Sequence, residues 1–126
     1  MPMRSVRSFR DLIVWQRAME LTVAVYGLTR EFPKEEIYGL TSQLRRAAVS
    51  IASNIAEGHG RNTTGEFRQF LGVARGSNFV VQTQLILSRK LQYGGDERLT
   101  LCEGLSVEVE KMMVSFVASL GAAKGS

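Results

Sequence analysis

The stretch that decides the fold is residues 38–58, YGLTSQLRRAAVSIASNIAEG. Within it Leu40, Leu44, Ala48, Ile51 and Ile55 recur at steps of four, four, three and four. That rhythm puts side chains on one face of an α-helix. A second column, Gln43, Arg46, Ser50, Asn54 and Glu57, is displaced from the first by one or two residues, or about 100–200° around the axis. The helix therefore carries an oily stripe and, to one side of it, an ordered polar column able to make specific hydrogen bonds. Ala47, Ala52, Ser53 and Ala56 cover much of the rest and let another backbone come close.

The segments on either side repeat the pattern. Leu12, Trp15, Met19, Thr22, Tyr26 and Thr29 keep the same rhythm, widened by Val25, Leu28 and Phe32, with Asp11 as the expected N-cap. Trp15 and Tyr26 are expected to anchor the core, because large aromatics dominate buried area. Pro33 stops this helix, since it disfavours helical geometry at Phe32. Glu35 and Glu36 then sit where the next helix opens and favour its positive end. Gly58 reads as the stop of the second helix.

Thr63 with Glu66 has capping-box spacing. Beyond it Phe67, Leu71, Ala74, Asn78, Val81, Leu85 and Ser88 alternate steps of four and three up to Gly94-Gly95. Gly72 and Gly76 lie in this third helix, four residues apart. Each is expected to cost about 1 kcal/mol there, so close packing of another helix is the expected compensation. The fourth helix carries Leu99, Cys102, Ser106, Val109, Met113, Phe116 and Leu120 as its core column, with Gly121 as its cap. The expected organisation is a single domain over residues 1–126, all-α, folded as an antiparallel up-down-up-down four-helix bundle. Its parts are a basic arm (1–10), helices at about 11–31, 36–58, 64–93 and 97–120, and a loose tail (121–126).

Composition excludes several function classes. Cys102 is the only cysteine, so there is neither a disulfide framework nor a thiolate metal cage, and its place on an apolar column makes it core. No apolar run approaches about 18 residues, so no membrane span is expected. The N-terminal MPMRSVRSFR lacks the apolar region of a secretory signal, so a cytoplasmic protein is expected. His59 is the only histidine and sits in a loop without partners. Gly58 and Gly60 lack the preceding strand and following Gly-Lys-Ser/Thr of a phosphate loop. Ser50 and Glu57, the nearest thing to a nucleophile and base, are seven residues apart, about 10 Å along the axis. No catalytic residue, metal site, cofactor or small-molecule substrate is identified, and a non-enzymatic protein is expected.

Charge is the sharper signal. The net charge is +4. The excess sits on the arm, with Arg4, Arg7 and Arg10, and on residues 61–93, where only Glu66 opposes Arg61, Arg68, Arg75, Arg89 and Lys90. Arg61, Arg68, Arg75 and Arg89 are spaced by seven, seven and fourteen, which drifts only about 20° per heptad. From Arg68 to Arg89 the row extends about 31 Å. Arg61, Arg68, Arg75, Arg89 and Lys90 are therefore the candidate contacts to an RNA or DNA backbone, without base reading. The competing reading is a solvated face on a protein-only scaffold or adaptor. Gln43, Arg46, Ser50, Asn54 and Glu57 are the candidate helix seam or subunit contact.

Several runs resemble a known bacterial family. They are Leu12-x-x-Trp15-Gln16-x-Ala18, Phe32-Pro33-x-Glu35-Glu36, the continuous Tyr38-Gly39-Leu40-Thr41-Ser42-Gln43-Leu44-Arg45-Arg46, Asn54-Ile55-Ala56-Glu57-Gly58, and Gly76-Ser77. Together they are similar to the four-helix bundle proteins encoded by intervening sequences inside large-subunit ribosomal RNA genes. The resemblance implies assembly of identical copies into a ring, a homopentamer. It also implies distant kinship with the accessory protein of diversity-generating retroelements, which partners a reverse transcriptase and nucleic acid. Ala52 stands where the family often has proline, and Val80 and Gln82 where it often has carboxylates. Those acids are thus not available to Arg45 or Arg46.

Overall fold

A computed structural model describes residues 8–125, with side chains through Gly121. Arg4 and Arg7 of the expected arm, and Ser126 of the expected tail, lie outside the described residues. Four helices follow one another: α1 (Ile13–Thr29), α2 (Leu40–His59), α3 (Thr64–Lys90) and α4 (Asp96–Gly125). Each packs against its two neighbours in a closed cycle, with α1 and α3, and α2 and α4, on the diagonals. Cross-helix bonds give the directions. Thr22 Oγ1 reaches the Ala48 carbonyl and Arg45 reaches Thr29, so α2 runs against α1. Gln84 meets Gln43 while Ser77 meets Ser50, and Arg17 meets Glu108 while Arg98 meets Glu31. The bundle is up-down-up-down throughout.

The expected columns of α2, α3 and α4 form the core. Leu44, Ala48, Ile51, Ile55, Leu71, Ala74, Val81, Cys102, Val109 and Met113 are all fully buried. In α1 the core column is shifted. Leu12, Val25, Leu28, Thr29 and Phe32 are buried as expected, but Val14, Ala18 and Leu21 are buried with them, while Trp15 is only half-buried and Met19 and Tyr26 are exposed. The expected aromatic anchors therefore lie at the rim. Two adjacent columns of α1 are both apolar, so periodicity cannot choose between them; contact with both α2 and α4 does.

Several boundaries also move. Ser8, not Asp11, provides the first cap: it and Asp11 form a capping box around a short 3₁₀ turn, Phe9–Asp11, that precedes α1. Lys34–Glu36 is a separate 3₁₀ turn. Glu36 Oε1 accepts from the Leu40 backbone N–H at 3.0 Å, so it satisfies the open end of α2 from outside the helix. Gly58 does not stop α2, which continues to His59. A Cβ at Gly58 would lie 2.7 Å from Phe70 Cβ, so glycine there lets the start of α3 close over the end of α2. Thr63 caps α3, accepting from the Glu66 backbone N–H at 3.1 Å. Gly121 does not cap α4, and the expected loose tail is helical to Gly125.

The end of α3 is a Schellman turn. The Tyr93 N–H donates to the Ser88 carbonyl and the Gln92 N–H to the Arg89 carbonyl, which turns Gln92 to φ 61°. Left-handed backbone costs a non-glycine residue about 1–2 kcal/mol. Gly94 follows at φ 78°, where a Cβ would also lie 2.5 Å from Leu28 Cδ1.

One polar pair interrupts the core between α3 and α4. Asn78 and Ser106 are both fully buried. Asn78 Nδ2 donates to the Ser106 carbonyl at 2.9 Å, and Ser106 Oγ donates to Asn78 Oδ1 at 2.7 Å. Ser106→Ala strands a buried acceptor and should lower stability by about 1–3 kcal/mol; an unchanged denaturant midpoint would show that the pair is not needed. Gln92→Gly relieves the left-handed turn and should raise stability by about 0.5–1 kcal/mol, after the entropy glycine loses on folding. A lower melting temperature would contradict that account.

Candidate interaction surfaces

The polar column of α2 faces α3. Ser50 Oγ and Ser77 Oγ lie 2.8 Å apart, and Asn54 Nδ2 donates to the Ser50 carbonyl at 2.8 Å and to Ser50 Oγ at 3.0 Å. Gln84 Nε2 donates to Gln43 Oε1 at 3.1 Å. Ser50 and Asn54 thus sit in a part-buried hydrogen-bonded seam between α2 and α3, and Gln43 joins Gln84 across the same pair of helices at its exposed margin. Arg46 is exposed and separate from it. Glu57 only approaches Arg61, at 3.8 Å.

Arg68, Arg75 and Arg89 of the arginine row lie along the α3–α4 edge, and acids of α4 meet two of them there. Arg75 Nη2 donates to Glu110 Oε2 at 2.7 Å. Arg89 Nη1 donates to Asp96 Oδ1 at 2.7 Å, and Arg89 Nη2 to Glu103 Oε1 at 2.9 Å. These carboxylates hold both guanidinium pKa values above the ordinary arginine range, first of all by accepting hydrogen bonds, Glu110 from Arg75 and Glu103 from Arg89. Arg61 stacks over the Phe70 ring at 4.8 Å. Arg68 and Lys90 are exposed and have no charged partner among the described residues. The row is geometrically present, but its two best-placed members are already neutralised.

Gly72 and Gly76 are not packed by any helix of this chain. A Cβ on either would meet nothing within 4 Å. They lie on the outward face of α3 among the exposed side chains Val73, Phe79, Val80, Ile86 and Leu87. The expected compensation is therefore not intramolecular.

Two grooves lie on the α1–α2 side. One is uncharged, about 280 Å³, and lined by Trp15, Met19, Thr22, Val49, Ala52 and Ala56 among others. The other is about 460 Å³ and contains Arg45 and Arg46 beside Tyr26 and Tyr38. Spacing along the chain does not reveal this second groove. The Arg45-Arg46 pair was its only local signal, because the partners come from α1.

Among the described residues no nucleophile and base are brought together. Cys102 is buried, and burial pushes its thiol up to about 11, so it does not supply a thiolate near neutrality. His59 stands edge-on to Phe67 at 5.9 Å. Among the described residues there is no cluster of three or more metal-ligating side chains, and no helix is long and apolar enough to cross a membrane.

Known proteins supply a family. The sequence matches the profile of the 23S rRNA-intervening sequence proteins over residues 10–115. None of the curated proteins matches it. Among solved structures, it is similar to a protein of unknown function from the S23 ribosomal protein family of Bacteroides thetaiotaomicron, with 20% identity and a TM-score of 0.74. That likeness spans 83% of this chain and 98% of the other, and it shows a shared fold. Neither description names a reaction. The chain belongs to the 23S rRNA-intervening sequence protein family.

Proposed function

We propose that the protein is a non-enzymatic assembly module whose copies join into a closed ring, five by the family resemblance. The observation that carries this reading is the outward face of α3. Two glycines there cost about 1 kcal/mol each in an exposed helix and gain nothing within the chain, and the aliphatic side chains around them remain in water. A second copy laid against the face offsets both costs. The uncharged groove between α1 and α2 is the receiving surface. Between residues 72 and 87 the one charged side chain is Arg75, which is paired with Glu110, and the groove among Trp15, Met19, Val49 and Ala52 carries no charge. Two different faces make a head-to-tail contact, which forms a ring when the rotation closes.

The protein-only form of this reading is favoured over backbone contact with nucleic acid. What favours it is the pairing of Arg75 and Arg89 with Glu110, Glu103 and Asp96. A phosphate would have to displace those carboxylates. A lone nucleic-acid site on Arg61, Arg68 and Lys90 would keep few of the contacts that give salt-dependent affinity.

Native mass spectrometry should find one discrete oligomer for the natural chain, with Gly76→Arg and Val80→Glu falling to monomers of unchanged helicity. A monomeric natural chain, or variants that still assemble, would overturn the assembly reading. Arg68→Glu combined with Arg75→Glu should leave retention of labelled RNA and DNA unchanged at both low and high salt. Strong low-salt binding abolished by that double variant would instead support the arginine row.

A further inference from the structure

Among the described residues three arginines are half-buried: Arg17, Arg45 and Arg75. Arg17 and Arg75 are closed by Glu108 and Glu110. Arg45 has no carboxylate. Its Nε donates to Thr29 Oγ1 at 2.8 Å, and its guanidinium lies 4.5 Å over the Tyr26 ring. Thr29 is itself buried and donates to the Val25 carbonyl at 2.8 Å, so the arginine is fixed at its base by a turn of α1. The N–H bonds of its two terminal nitrogens find no acceptor among the described residues. Arg46 lines the same groove and is likewise unpaired. A partly desolvated guanidinium, already oriented and lacking an anion, calls for one from outside the chain.

We propose that this groove binds a phosphate monoester carried on a planar ring. No acid lines it, and its two guanidinium groups are always charged. A phosphate monoester carries close to two negative charges near neutral pH and matches both, whereas a carboxylate leaves one unmatched. The guanidinium edge is also shaped for two oxygens of one phosphate. The ring is argued from the wall of the groove. Ile37 is exposed there, and Tyr38, 93% exposed, presents an uncovered aromatic face beside the arginines. Ser42 adds a hydroxyl at the same place.

Phenyl phosphate is the probe, titrated calorimetrically into the full chain, with inorganic phosphate and sodium benzoate as separate arms. The expected result is one site per subunit and binding at least about tenfold tighter than either simpler anion. Arg45→Gln should weaken phenyl phosphate by at least about tenfold, and Arg45→Lys should not restore it, because an ammonium lacks the planar fork. Tyr38→Ala should erase only the advantage over inorganic phosphate, and Arg68→Gln should change nothing. Tyr38 and Arg46 are exposed, so Tyr38→Ala and Arg46→Gln serve if Arg45→Gln fails to fold. The assembly variant Val80→Glu should bind as the natural chain does, which separates this site from the subunit contact. Equal affinity for benzoate, indifference to Arg45→Gln and Arg46→Gln, or no saturation by about 10 mM would each overturn the site.

Discussion

The reciprocal hydrogen bond between Asn78 and Ser106 sets the register on which much else in the molecule rests. An apolar seam alone tolerates sliding, because one leucine replaces another. A buried amide that exchanges bonds with one serine does not, since a slip of one turn, about 5.4 Å, would leave polar atoms unsatisfied. With α3 and α4 held in that register, Glu110 falls beside Arg75, and Asp96 and Glu103 fall beside Arg89. A charge row that looks uncompensated along the chain is then partly closed across it.

The same distribution runs through α4 as a whole. Glu103 and Glu110 face α3, while Glu108 faces Arg17 of α1 and Arg98 reaches back to Glu31. These pairs are substantially exposed, and such pairs contribute about 0–1 kcal/mol each. Their effect is mainly on where charge remains. With Asp96, Glu103, Glu108 and Glu110 of α4 committed to its two neighbours, the unpaired cations of the α1–α2 side, Arg45 and Arg46, stand beside open aromatic surface instead of carboxylates. On the apolar outward face of α3 the one nearby cation, Arg75 over Phe79, is held at the edge by Glu110.

Much of the fold was legible along the chain. The stripes of α2, α3 and α4 are single columns, so the helical period located their buried faces and short connections made neighbours antiparallel. The stripe of α1 is double, and Trp15 and Tyr26 went to the rim because contacts with two partners, not hydrophobicity, chose Val14, Ala18, Leu21 and Val25 for the interior. Gly58 and Gly121 matched stop signals but were overruled, the first by the close approach of Phe70 and the second by continued helix in α4.

The sequence by itself determined that this protein is an antiparallel bundle of four helices with a polar seam on α2 and a row of arginines on α3, because those features are periodic and each is contained within one helix. Only the tertiary structure decided which charges are free, which glycines are unpacked, and that Arg45 is oriented by Thr29 and Tyr26. Those properties depend on what a neighbouring helix places a few ångströms away, and no spacing along a single helix encodes the partner across from it.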